Sequence, residues 1–290
     1  MGCERRPLGM CNALFYIALP GKGLLCSRKI PDTVLFGAGN EEFGAEGIKI
    51  SPVKPMEKWA LSYKGEMCKV VNVEFSGEWS ATSRYFDFDG ELHPAAVIRS
   101  IAREPWTKDY FERLKTAHQS HYEQFGTLKC KFTIDEEQFD LELPSFRDHS
   151  FARLVVNAPL RVPPHLSAER RQRHLEAGVV ALPSGEVYPV EWVDLKLYQH
   201  GEGGTAPRDY GFRFKAGDTE YTVQVLVEYE SVHYVSEEWE AKMTERFCRF
   251  VVNGVPGNGV SEFHYRHREG RPEHVAASDP IWYRKMCHKI

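Results

Sequence analysis

Alternation with a period of two constrains this chain more than any other feature of it. Cys130, Phe132 and Ile134 are apolar, and Lys131, Thr133 and Asp135 beside them are polar. Beyond Glu136-Glu137, Phe139, Leu141 and Leu143 alternate with Gln138, Asp140 and Glu142. Successive side chains of a strand point to opposite faces, so each run buries one face and wets the other, and the two runs predict a hairpin. The same stripe recurs in Tyr221, Val223, Val225, Val227 and Tyr229, in Val193, Leu195 and Leu197, and in Phe263 and Tyr265. Val71, Val73 and Phe75 begin another, continued from Trp79 to Phe86. Turn signals separate the runs: Phe88-Asp89-Gly90, Pro183-Ser184-Gly185, Ala216-Gly217-Asp218 and Asn253-Gly254. Many half-buried strands joined by short turns predict a mainly β protein of antiparallel sheets, closed as barrels or stacked as sandwiches.

One amphipathic helix is predicted at about 105–125. Pro105 suits a first helical turn, Gly126 suits a stop, and Trp106, Tyr110, Leu114, Ala117, His121 and Phe125 fall on one stripe between them. A shorter helix is predicted at Pro94 to Ala102. Residues 1–33 and 269–290 read as weakly ordered ends. From Ala152 to Arg173 the periodicity disappears. That stretch holds Arg153, Arg161, Arg170, Arg171 and Arg173 together with Pro159, Pro163 and Pro164, and reads as an irregular junction over 152–174. It divides a first β half (34–151) from a second (175–268).

Composition excludes several classes. Lys and Arg number 37 against 41 Asp and Glu, mixed along the chain, which leaves no electrostatic footprint for nucleic acid. The short run Glu169 to His174 reads as a solvated basic segment. No apolar run approaches the roughly 20 residues of a membrane span. The seven cysteines are scattered, with no Cys-x-x-Cys, so neither a disulfide framework nor a structural zinc site is expected. Ala13 to Leu19 is apolar behind Arg5 and Arg6, as in a secretory leader, but it is short and Pro20-Gly21-Lys22-Gly23 is a poor cleavage context. The expectation is a cytoplasmic protein with reduced thiols; secretion is the alternative.

Candidate chemistry centres on Arg147-Asp148-His149-Ser150-Phe151. Asp148 and His149 are the candidate catalytic residues, since a carboxylate can orient and charge-stabilise an imidazole. Neighbours on a strand face opposite ways, however, so each would need another partner, and Arg147 beside them also suits an ion pair. His118 and His121, three apart on the predicted helix, could join His149 around a metal, but no His-Glu-x-x-His pattern is present and no metal or cofactor is expected. Trp59, Trp79, Phe86 and Phe88 could line an apolar pocket or fill the core. With Arg147, His118 and His121, the first three form the expected ligand-binding set. Gly254 to Gly259 lies between strands and reads as a hairpin turn rather than a phosphate cradle. No Gly-x-Ser-x-Gly nucleophile elbow occurs.

Several segments carry a resemblance: Lys58-Trp59 with Leu61-Ser62-Tyr63-Lys64-Gly65, Phe86-Asp87-Phe88-Asp89, Ala117-His118-Gln119-Ser120-His121-Tyr122-Glu123-Gln124, Arg147 to Phe151, and Glu245-Arg246-Phe247-Cys248-Arg249-Phe250. Together they resemble the amino-terminal region of large animal proteins of the phosphoenolpyruvate synthase-like, or rifampicin phosphotransferase-like, group. That region is in turn similar to the two-domain lipocalin-like fold of hydroxyneurosporene synthase, a carotenoid 1,2-hydratase. The resemblance covers roughly Val34 to Arg266. It departs after Phe151, where Ala152-Arg153-Leu154 replaces a Gly, a basic pair and Trp, and the pattern returns near His174-Leu175-Glu176. The nucleotide-grasp, phosphohistidine and phosphoenolpyruvate-binding regions have no counterpart here, so phosphoryl transfer is not expected. The resemblance implies two lipocalin-like halves, the second incomplete. It also implies a non-catalytic module that binds an apolar small molecule or docks onto the phosphotransferase domains of a longer isoform. The alternatives are a hydratase- or isomerase-type enzyme acting on a lipophilic, polyene-like substrate through Asp148 and His149, and an inert truncated variant.

Overall fold

The structure is a computed structural model, and it describes residues 1–6, 9–37, 43–68, 71–116, 120–151, 177–195, 205–235 and 239–280. The chain opens with short strands β1 (Gly2–Arg5), β2 (Met10–Leu14), β3 (Tyr16–Leu19), β4 (Gly23–Cys26) and β5 (Val34–Phe36). A first large sheet follows: β6 (Ile48–Lys54), β7 (Lys58–Met67), β8 (Val71–Asp87), β9 (Ser120–Ile134) and β10 (Glu137–Phe151), with α1 (Pro94–Ala102) and α2 (Lys108–Thr116) between β8 and β9. The second large sheet comprises β11 (Val179–Ala181), β12 (Val187–Val193), β13 (Asp209–Ala216), β14 (Thr219–Val235), β15 (Ala241–Val252) and β16 (Val255–Arg266), and α3 (Glu273–Ser278) comes after it. Both large sheets are antiparallel meanders in the spatial orders β10-β9-β8-β7-β6 and β11 through β16. The fold is mainly β, with curled antiparallel sheets forming a half-barrel.

Most of the alternating runs become strands, but β12 ends at Val193, so Leu195 lies beyond it and Leu197 falls outside the described residues. Phe139 pairs with Phe132, and Phe132 pairs with Phe75, which puts one aromatic row across three strands. The β15–β16 turn falls on Asn253 and Gly254, both at positive φ (49° and 82°), the pairing that a two-residue hairpin turn of this type requires. Among the described residues the second sheet, expected to lack strands, has six against five in the first.

Two expectations are corrected. The 105–125 helix does not form as one element: helix α2 ends at Thr116, and Ser120 already begins β9. His121 and Phe125 are therefore strand residues. Gly126 is no helix stop; it lies mid-strand under Trp79, where an added Cβ would come within 2.4 Å of the indole and 2.5 Å of the Ser80 carbonyl oxygen. His118 and the Ala152–Arg173 junction lie outside the described residues.

The second correction concerns the amino terminus, which is a structural layer rather than a weakly ordered end. Cys11, Ala13, Phe15, Leu19, Leu25 and Leu35 are buried and form one core with Tyr63, Phe75 and Phe132 of the first sheet. The same segment also meets the second sheet. Tyr16 packs edge-on against Phe247 at 5.2 Å, the Thr33 hydroxyl donates to the Tyr234 carbonyl at 2.8 Å, and the Tyr234 amide donates to the Pro31 carbonyl at 2.8 Å. Arg271, in the 269–290 segment, is tied in as well, since it donates to buried Asp32 at 3.0 Å. Both sheets thus share a layer of which the sequence places only β5 within the first half.

Candidate functional site

Cross-strand register decides which candidates meet. Trp59 of β7 stands opposite Trp79 of β8, and two rows further along, Arg147 of β10 stands opposite Gln124 of β9 and His149 opposite Tyr122. Paired residues share a face, so Trp59, Trp79, Tyr122, Gln124, Arg147 and His149 all project from the core-bearing face of the first sheet. The Arg147 guanidinium carbon lies 5.0 Å from the Trp59 ring centroid, 5.1 Å from Tyr122 and 5.6 Å from Trp79. Contacts of this kind are each worth about 0.5–2 kcal/mol, rising as water is excluded. Arg147 Nη2 donates to Gln124 Oε1 at 3.0 Å, with longer contacts from Nη1 to the Tyr122 hydroxyl (3.5 Å) and from Nη2 to Met56 Sδ (3.6 Å). Gln124, itself buried, is fixed from its other end: its Nε2 donates to the carbonyls of Met56 and Ser83, both at 2.9 Å.

His149 stacks on Tyr122 with ring centroids 5.0 Å apart and planes at 29°, and meets Phe43 edge-on at 6.2 Å. Burial and then the Arg147 charge push its pKa down, so the imidazole is neutral near pH 7. Arg5 lies over the Phe43 ring at 4.2 Å, a second cation beside this cluster.

The opposite face carries the rest. Phe86, Glu123 and Asp148 align across β8, β9 and β10. Phe86 is buried and packs edge-on with Phe88 at 5.1 Å, away from the tryptophans. His121 lies 3.6 Å from a Glu123 oxygen and 4.0 Å from an Asp148 oxygen. Desolvation raises the pKa of Asp148, with Glu262 adding repulsion and His121 offsetting part of it. Asp148 and His149 do not pair, because adjacent strand residues diverge. Of the expected ligand-binding set, Trp59, Trp79 and Arg147 come together, while Phe86 and His121 sit across the sheet. The His118–His121–His149 metal arrangement is not made by the described residues, since His121 and His149 face opposite ways, and no other cluster of metal-ligating side chains occurs among them.

Sequence reasoning missed Tyr122, Gln124 and Met56. The signal was present for the first two: Tyr122, Gln124, Gly126, Leu128 and Cys130 form a period-two run that the helical stripe obscured. It also missed a buried pair in the second sheet. His233 is wholly buried, its Nε2 lies 3.6 Å from a Glu245 oxygen, and neither ring nitrogen has a hydrogen-bond partner among the described residues. Burial pushes His233 down to about 4 and Glu245 up to about 7. An open trough of about 470 Å³ lies elsewhere, on the polar face of the first sheet beside Ser62, Ser76, Glu78, Lys129 and Lys131. Its rim is laced by cross-strand ion pairs such as Lys129–Glu142 at 3.3 Å and Lys58–Glu78 at 2.8 Å.

A mainly β chain whose curled sheet holds a guanidinium among aromatic rings is the class that fold and site define. The chain belongs to the family of unknown function DUF8627, which matches residues 4–157 and 160–265. Within the Ala152–Arg173 junction the match omits only Ala158 and Pro159. No curated protein and no solved structure matches the chain significantly. No helix among the described residues is long and apolar enough to cross a membrane.

Proposed function

We propose that this chain is a non-catalytic, lipocalin-like module that binds a small, largely apolar molecule at the recess around Arg147, Trp59, Trp79 and Tyr122. The observation that carries this reading is the gathering of three aromatic rings within 5.6 Å of one guanidinium, on a face that lacks the Asp148 carboxylate. Binding sites for small molecules are mostly apolar and aromatic walls with a few placed polar groups, and the recess has that composition. Acid–base chemistry by Asp148 with His149 requires the two to act on one reacting centre, and they lie on opposite faces of the strand. Titration with a fluorescent polyene fatty acid tests the reading. Saturable energy transfer from tryptophan, at one probe per chain and with the probe's absorption spectrum unchanged over hours, is the expected result. Uptake that never saturates overturns the binding reading. Conversion of the polyene spectrum that disappears in His149→Gln overturns the non-catalytic one.

A further inference from the structure

We infer that the ligand of the Arg147 recess carries a carboxylate, held by Arg147, at one end of its apolar body. The inference rests on the binding reading above and deepens it.

The recess has a surplus of donors. Arg147 Nε is buried and has no hydrogen-bond partner among the described residues, and the same is true of Trp59 Nε1 and Trp79 Nε1. No carboxylate of the described residues lies within 4.0 Å of the Arg147 guanidinium. Two other guanidiniums of the chain do meet a carboxylate: Arg246 meets Glu230 at 2.8 Å and Arg271 meets Asp32 at 3.0 Å. The chain also satisfies another buried indole, since Trp239 Nε1 donates to Asp32 at 3.1 Å. Buried cations are ordinarily paired and buried donors ordinarily bonded, and the Arg147 recess gathers three such unpartnered donors, one of them on a cation.

The described neighbours do not make up the deficit. The side-chain carbonyl of Gln124 is already engaged by Arg147, and its amide is pinned by two backbone carbonyls that fix which way it points. His149 is held neutral and supplies no negative charge. Arg5 adds a second positive group nearby rather than a negative one. What the described residues do not supply is a compact anion with two acceptor oxygens. A planar carboxylate matches the fork of a guanidinium and would be enclosed by rings that favour an apolar chain behind it. A phosphate, with up to two charges, would call for a second guanidinium at the anion itself, whereas Arg5 lies over the Phe43 ring.

The test compares dodecanoate, methyl dodecanoate and dodecanol, each below its micellar concentration at pH 7.5, as displacers of a fluorescent polyene probe. Dodecanoate is expected to bind at least tenfold tighter than either neutral analogue, because only it offers a charged acceptor. In Arg147→Met that advantage is expected to vanish while dodecanol affinity holds, with circular dichroism confirming the fold. Equal affinity of all three for the wild type overturns the head-group inference and leaves the binding reading standing. Failure of all three to displace overturns the binding reading itself. An acid preference that survives in folded Arg147→Met overturns the assignment to Arg147. The wild-type comparison alone decides the charge requirement should the variant not fold.

Discussion

Glu245 gives the sharpest quantitative prediction. Its carboxylate is mostly buried beside His233 in the second sheet, and desolvation, with repulsion from Glu262, raises its pKa from 4.5 to about 7; the Met1 amino group and His264 offset part of that rise. A carboxyl whose folded pKa exceeds its unfolded value holds its proton longer in the native state. The native state therefore binds more protons between pH 4.5 and 7, and stability falls as pH rises through that window. Two and a half units, at roughly 1.4 kcal/mol per unit, come to about 3 kcal/mol. Glu245→Gln resembles the protonated form at every pH, so its stability relative to wild type should rise by about 3 kcal/mol from pH 4.5 to 8. His233 works in the opposite sense. Burial lowers its pKa from 6.5 to about 4, which makes the unfolded state the better proton acceptor between those values, so its contribution rises with pH. In the wild type the two slopes oppose each other, and only single variants expose them: His233→Gln should lose ground to wild type from pH 4 to 6.5. Urea unfolding at closely spaced pH values, followed by circular dichroism and tryptophan fluorescence, measures both, and coincidence of the two probes checks that one transition is being read. A Glu245→Gln difference that stays constant within about 1 kcal/mol across the range refutes the argument, since a desolvated carboxylate cannot lack this linkage.

Two further substitutions test the packing. Gly126→Ala puts a Cβ 2.4 Å from the Trp79 ring and 2.5 Å from the Ser80 carbonyl oxygen, so the indole must move. The expected cost is about 1–3 kcal/mol in urea unfolding, with a shift in tryptophan emission; unchanged stability and emission would show that the ring does not lie over β9. Asp32→Asn removes a buried anion that accepts from the Val34 amide at 3.0 Å, Trp239 Nε1 at 3.1 Å and Arg271 at 3.0 Å. It leaves the Arg271 charge buried and poorly paired, and a loss of roughly 3–5 kcal/mol is expected. A loss under about 1 kcal/mol would mean that the two ends of the chain do not share in the cooperative fold.

The parts of the fold that the sequence reveals are those where one face is wet. The hairpin of β9 and β10 alternates because its other face meets water, and the Asn253-Gly254 turn is legible because positive φ at both positions selects those residues. The amino-terminal layer lacks this contrast. β5 is buried at all three positions and β2 at Cys11, Asn12, Ala13 and Leu14 in succession, and a strand covered on both sides shows no alternation. The misplaced helix has a different cause. From Trp106 to Phe125 the spacing of apolar residues fits a helical stripe, but Tyr122, Gln124 and Gly126 also continue the period-two run ending at Ile134. Pairing with β8 and β10 decides for the strand, and no local spacing contains that information. The site follows the same division. Tryptophan and arginine are recognisable as residues that build recesses, but only the register that sets Trp59 against Trp79 and Gln124 against Arg147 shows which of them meet.

Register also changes how the Arg147-Asp148-His149 segment is understood. On a strand, the residue that acts with His149 is not its neighbour but the one two positions away, so the pair on the recess face is Arg147 with His149. That replaces an acid–base pair with a fixed cation and an imidazole that burial and the cation together hold neutral. Adding water across a double bond needs a proton donor on the side where the substrate lies. On that face β10 itself contributes an arginine and a histidine whose protonated form is disfavoured. The carboxylate that could have recharged the histidine stands across the sheet with His121, 4.0 Å away. The same features that weaken the case for proton transfer strengthen the case for a receptor: a guanidinium among three aromatic rings, with buried N–H groups that have no hydrogen-bond partner among the described residues.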